Sequence, residues 1–121
     1  MLESDARMWA MLTHILALVA LLVSGGTLAF LVPLIIWLVF RERSALVDYH
    51  AKQNLNLQLS LIVVMFAGIV VGLVTFGFGF ILTGPLMLAY GLYALVISII
   101  AGVRANSGEY YKLPMVIRFI N

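Results

Sequence analysis

Apolar residues run through this chain in long stretches, with polar residues gathered at their edges. Met8–Val23 is broken only by Thr13 and His14, and Ser24-Gly25-Gly26-Thr27 then interrupts it. Leu28–Phe40 is a second run, ending at Arg41-Glu42-Arg43. A third segment opens polar, SALVDYHAKQNLNLQLS, and becomes wholly apolar from Leu61 to Val74. The fourth, Phe80–Val103, follows Gly77-Phe78-Gly79 and ends at Arg104. A helix needs about 20 apolar residues to cross a bilayer. The first two runs together are too long for one crossing, and each alone is short. Ser-Gly-Gly-Thr is a turn sequence, so the pattern predicts a tight hairpin with spans at 6–23 and 28–42. One long helix kinked at the glycine pair, or a re-entrant pair that stops short of crossing, are the alternatives. Pro33 predicts a kink in the second helix.

The third and fourth spans are expected at 46–76, with a polar start, and at 80–104. Ser44 is the expected N-cap of the third helix, and Asp48 suits the positive end of its dipole. From Ala45 to Phe76 a helix rises about 48 Å, more than the hydrocarbon thickness of about 30 Å. Its first turns are therefore expected among the lipid headgroups or beyond them. Pro114 excludes a smooth helix through the tail, 105–121. That segment is expected to lie at the interface, with Tyr110 and Tyr111 at headgroup depth.

Composition turns this pattern into a class. Of 121 residues, 64% are hydrophobic and 10% charged, and the mean hydropathy is +1.16. A soluble domain this small could not hide so much apolar surface. The expected fold is all-α: a single integral membrane domain, 1–121, a four-helix bundle of two helical hairpins with an interfacial C-terminal segment. The acidic start, MLESDAR, argues against a cleavable signal peptide. All seven bases (Arg7, Arg41, Arg43, Lys52, Arg104, Lys112 and Arg118) fall on one side of four spans. The positive-inside rule then places both chain ends in the cytoplasm, in a bacterial cytoplasmic (inner) membrane. The net charge of +2 is read as topology and headgroup contact, not nucleic-acid binding.

Spans associate through close packing and hydrogen bonds, because lipid tails are as apolar as leucine. Gly84, Gly91, Ala94, Ser98, Ala101 and Ala105 share one face of the fourth helix, and Gly68 and Gly72 form a GxxxG on the third. Internal packing of these two helices is favoured, and a homodimer face is the alternative. The polar half of the third helix carries candidate chemistry. Asp48 and Lys52 stand four apart and can pair. His50, Asn54 and Gln58 share a stripe, Asn56 and Ser60 continue another, and His14 lies at the depth of Asn54. A polar cluster of His14, His50, Gln53, Asn54 and Gln58 follows on the inner-leaflet side. It is either an interhelical hydrogen-bond network or a water-filled vestibule that binds a partner or lines a pore.

There is no cysteine, and two histidines do not make a metal site, so neither metal nor cofactor is expected. The chain has no P-loop, dinucleotide fingerprint, HExxH or GxSxG. No acid lies within a span, where proton-coupled pumps need one. An enzyme is not expected. The lipid bilayer is the certain partner, with a homo-oligomer or a larger membrane complex beside it. The leading reading is a non-enzymatic assembly or interaction subunit of a membrane complex. A small oligomeric channel or transporter is the alternative.

Trp9-Ala-Met-Leu-Thr-His14, Pro33-Leu-Ile-Ile-Trp37, Val47-Asp-Tyr-His50-Ala-Lys-Gln53-Asn54 and Ser107-Gly108-Glu109-Tyr-Tyr111-Lys-Leu-Pro114 together suggest a relationship. The chain resembles the small bacterial Tic-twenty-like proteins, which are named for a subunit of the chloroplast inner-envelope import translocon. The aromatic usual before the last proline is Leu113 here. The resemblance implies four helices and points to His14, His50, Gln53, Asn54, Gly108, Glu109 and Pro114. It extends to protein translocation only by analogy of fold.

Overall fold

The computed structural model describes residues 1–120. Among them are four helices: α1 (Glu3–Ser24), α2 (Leu31–Phe40), α3 (Ala45–Val74) and α4 (Phe80–Asn106). Residues 109–120 form neither helix nor strand. α1, α3 and α4 are each long and apolar enough to cross a membrane, and the chain is a multi-pass helical membrane protein. α1 packs against each of the other helices, and α3 against α2 and α4 as well.

Helix boundaries follow local chemistry. Gly25 caps α1 in the left-handed region (φ 66°), where a side chain would be strained, and passes its N–H to the Leu21 carbonyl. Ser44 opens α3 by accepting the Val47 N–H through its hydroxyl, as its sequence position predicts. Asp48 accepts the Trp37 indole N–H at 2.6 Å and pairs with Lys52 at 3.2 Å, fastening α2 to the start of α3.

The second helix departs from expectation. It covers 31–40, not 28–42, and its 10 residues rise only about 15 Å, half the hydrocarbon thickness. Pro33 does not kink it. The proline stands in the first turn, where its missing N–H has no intrahelical acceptor to lose. The turn at Gly25–Thr27 lines one groove with Leu61–Ile69 of α3 and Met87–Leu95 of α4, whereas α3 continues to Val74. The first hairpin therefore ends more than a helical turn below the second. Its turn supplies part of its own hydrogen bonding: Ser24 Oγ donates to the Ala20 carbonyl and accepts the Leu28 N–H, and Gly26 N–H reaches the Leu21 carbonyl.

The taller hairpin is held by its glycines. A Cβ on Gly68 would meet the Met87 side chain, and one on Gly72 would run into the Phe80 ring. Thr83 on α4 adds a hydrogen bond to the Gly68 carbonyl, at 3.2 Å. The GxxxG thus serves α3–α4 packing. Ala94, Ser98, Ala101 and Ala105 are buried as expected, Gly91 meets Met65, and Gly84 has only open space beside it. A flexible methionine yields where an aromatic ring does not. Gly72→Ala is therefore expected to lower stability by about 1–3 kcal/mol, more than Gly68→Ala, in reversible unfolding from mixed micelles.

Candidate functional site

The charged residues collect at one end of the bundle, where α1, α3 and the tail meet. Ala6, Ala10, Thr13 and Ala17 give α1 a stripe of small side chains, and this lets it approach its neighbours closely. His14 lies on the same side, level with Gly102 of α4, whose missing Cβ leaves room for Ile15 and His14. His14, His50 and Asn54 are wholly buried.

The Glu109 carbonyl and the Asn54 amide together decide the direction of the hydrogen bonds in this cluster. His50 Nε2 is 2.6 Å from the Glu109 carbonyl oxygen, which can only accept, so Nε2 carries the proton. His50 Nδ1 is then an acceptor, and His14 Nε2, 2.9 Å away, donates to it. That leaves His14 Nδ1 to accept from Asn54 Nδ2, also at 2.9 Å. Gln58 Nε2 reaches Asn54 Oδ1 at 3.4 Å. The result is a one-way chain from Gln58 through Asn54, His14 and His50 to the backbone at Glu109. Both imidazoles are neutral within it, because a second proton on either would set two N–H groups face to face. Gln58 Oε1 is buried without a partner among the described residues.

The rest of the polar helix faces elsewhere. Asn56 accepts the Ile120 N–H at 2.9 Å and donates to the Ile120 carbonyl at 2.8 Å. Ser60 accepts the Ile117 N–H at 2.8 Å. Gln53 Oε1 accepts both the Leu113 N–H, at 3.1 Å, and Arg118 Nη1, at 2.5 Å. Arg118 Nη2 donates to the Leu113 carbonyl. From α4, Tyr90 and Tyr93 donate to the carbonyls of Met115 and Pro114. The tail does not simply lie along the membrane surface: it folds back into the groove between α3 and α4. Without regular structure its backbone has few internal partners, and near a membrane each unpaired group is costly. Gln53, Asn56 and Ser60 supply those partners.

The predicted polar cluster is therefore two clusters on two faces of α3. His14, His50, Asn54 and Gln58 form the first, and Gln53 belongs to the second. Of the tail residues, Glu109 gives its carbonyl to His50 and its carboxylate to Arg104 at 3.0 Å. Gly108 turns at φ 82° beside the Arg7 guanidinium, and Pro114 meets Tyr93. Sequence reasoning missed Arg118, Tyr90 and Tyr93 as docking residues. The available signal was two tyrosines three apart within an otherwise apolar run. Among the described residues no group of three or more His, Asp or Glu stands close enough to hold a metal ion.

A family model described as the magnetosome magnetite crystal formation protein family matches residues 5–120. The chain belongs to that family. The match takes in all four helices and the docked tail. It overturns the resemblance to Tic-twenty-like proteins, and with it the suggestion of protein translocation. The segments that prompted the resemblance, around His50-Ala-Lys-Gln53-Asn54 and Gly108-Glu109, are the ones that build the hydrogen-bonded chain and seat the tail. No curated protein and no solved structure matches the chain. With three helices of membrane-spanning length, the chain is a membrane protein of a magnetosome family.

Proposed function

We propose that the chain is a non-enzymatic assembly subunit of the magnetosome membrane, holding copies of itself or other proteins in place during crystal formation rather than conducting or transforming iron. The observation that carries this reading is the use of the buried polar side chains. Most of those of α3 bond to His14 or to the tail, Gln58 bonds to Asn54, and little is left over for a water-filled path. A conduit needs polar groups that face water, and those of His14, His50 and Asn54 face one another.

Charge supports the same reading. Iron ions and oxide surfaces are held by hard oxygen donors, carboxylates above all. All five acids (Glu3, Asp5, Glu42, Asp48 and Glu109) belong to the end that charge bias assigns to the cytoplasm, and the two opposite turns carry no charge. Direct attack on mineral from the enclosed side would lack those donors. The exposed loop Arg41-Glu42-Arg43 offers a charged surface to a partner instead.

A photo-crosslinker placed at Glu42 in the native membrane tests the proposal. It is expected to capture a second copy or a discrete magnetosome protein, and Arg41→Ala with Arg43→Ala is expected to abolish capture and alter crystal size while the protein still inserts. Absence of any discrete adduct, with crystals unchanged on deletion of the chain, would contradict it.

A further inference from the structure

A second cavity, of about 520 Å³, opens where the tail crosses the start of α3. Asp48, Tyr49 and Lys52 line it from α3, and Tyr110, Lys112 and Arg118 from the tail. Three cations thus stand against one carboxylate. That carboxylate is already engaged, by Lys52 and by the Trp37 indole. Neither Lys112 nor Arg118 has an acidic partner among the described residues. Arg118 is also held in place. The Gln53 amide oxygen and the Leu113 carbonyl each take one of its five N–H donors, which leaves three for a ligand. A guanidinium held in place with N–H groups to spare suits the tetrahedral oxygens of a phosphate. Tyr49 and Tyr110, edge to face with ring centres 5.2 Å apart, form the aromatic wall.

The depth of the cavity identifies where the phosphate comes from. α3 has 30 residues and rises about 45 Å, against about 30 Å of hydrocarbon. Its apolar far half must lie in hydrocarbon, so the excess of about 15 Å falls at the polar start and covers the first ten residues, Ala45–Asn54. Every α3 residue lining the cavity lies in that stretch, level with lipid headgroups. Phe119 and Ile117, both half exposed, flank Arg118 on the tail and offer the apolar contact that acyl chains need.

We propose that this cavity binds the phosphate of an anionic membrane lipid, with Arg118 and Lys112 as its principal contacts and Lys52 in support. Lipid bound there would touch both α3 and the tail, so it would also fasten the tail in its groove. The proposal stands independently of the assembly role.

Spin-labelled lipids provide the test, with the full chain reconstituted in phosphatidylcholine bilayers. Labelled phosphatidylglycerol is expected to be immobilised by the protein at least fivefold more strongly than labelled phosphatidylcholine. Lys112→Gln, at an exposed position that donates no hydrogen bond holding the tail, is expected to lower that preference about fivefold. Arg118→Lys, which keeps the charge and loses the fork, is expected to lower it while the helices stay intact by circular dichroism. Equal immobilisation of the two lipids would overturn the proposal, and so would a preference unchanged in both variants. Loss of the preference in millimolar inorganic phosphate, with chloride at the same ionic strength as control, would mean a site for free anions and would overturn the lipid assignment.

Discussion

Replacing His14 by Leu is expected to lower the stability of the folded bundle by about 2–4 kcal/mol in reversible unfolding from mixed micelles. Leucine fits the space, so the cost comes from hydrogen bonding. The substitution removes both bonds of the ring, to His50 and to Asn54. Interhelical bonds in membranes measure about 0.6 kcal/mol on average and up to about 1.7. The Asn54 amide and His50 Nδ1 are also left buried and unpaired, at about 1–3 kcal/mol each when no other partner is found. Asn54→Leu loses one of the same bonds, so the double variant is expected to be less destabilised than the sum of the two. A loss under about 0.5 kcal/mol, or strict additivity, would mean that the chain of bonds does not exist as drawn.

The second large effect concerns the tail. Asn56→Leu removes both hydrogen bonds to Ile120 and puts an apolar side chain under it. Losing two bonds is expected to raise the population of undocked tail about ten- to a hundredfold. Trypsin reads this directly, because Lys112 and Arg118 are cleavable only where the backbone can leave its groove. Cleavage at these two positions is expected to accelerate by that factor, while cleavage at Arg41 and Arg43 stays at the wild-type rate. Unchanged tail cleavage would show that Asn56 does not hold it.

Much of the architecture is written in the hydrophobic pattern. Runs ended by Arg41, Arg43 and Arg104, the Ser-Gly-Gly-Thr turn and the Ser44 cap suffice for four helices and their order. The length of α2 was not legible, because Leu28-Ala29-Phe30 is as apolar as the helix that follows. Hydropathy cannot tell an apolar turn from an apolar helix, and only the internal hydrogen bonding of Ser24 shows where the turn ends. The polar stripe was legible as a stripe. Its division was not, because the partner of Gln53, Asn56 and Ser60 is tail backbone, which every sequence has. His14 could be matched in depth to Asn54 by counting residues, and the structure brings the two into contact. Which ring nitrogen donates depends on the Glu109 carbonyl, 59 residues from His50, and no local pattern carries that.

Ion flux tests the central claim most directly. Proteoliposomes of the full chain, loaded with a fluorescent reporter of ferrous iron or of protons, are compared with protein-free vesicles of the same lipids. The account expects no protein-dependent flux of either ion, because the polar groups of the spans are bound to one another and to the tail. A flux that scales with protein and disappears in Asn54→Leu would contradict it and make the polar chain a path.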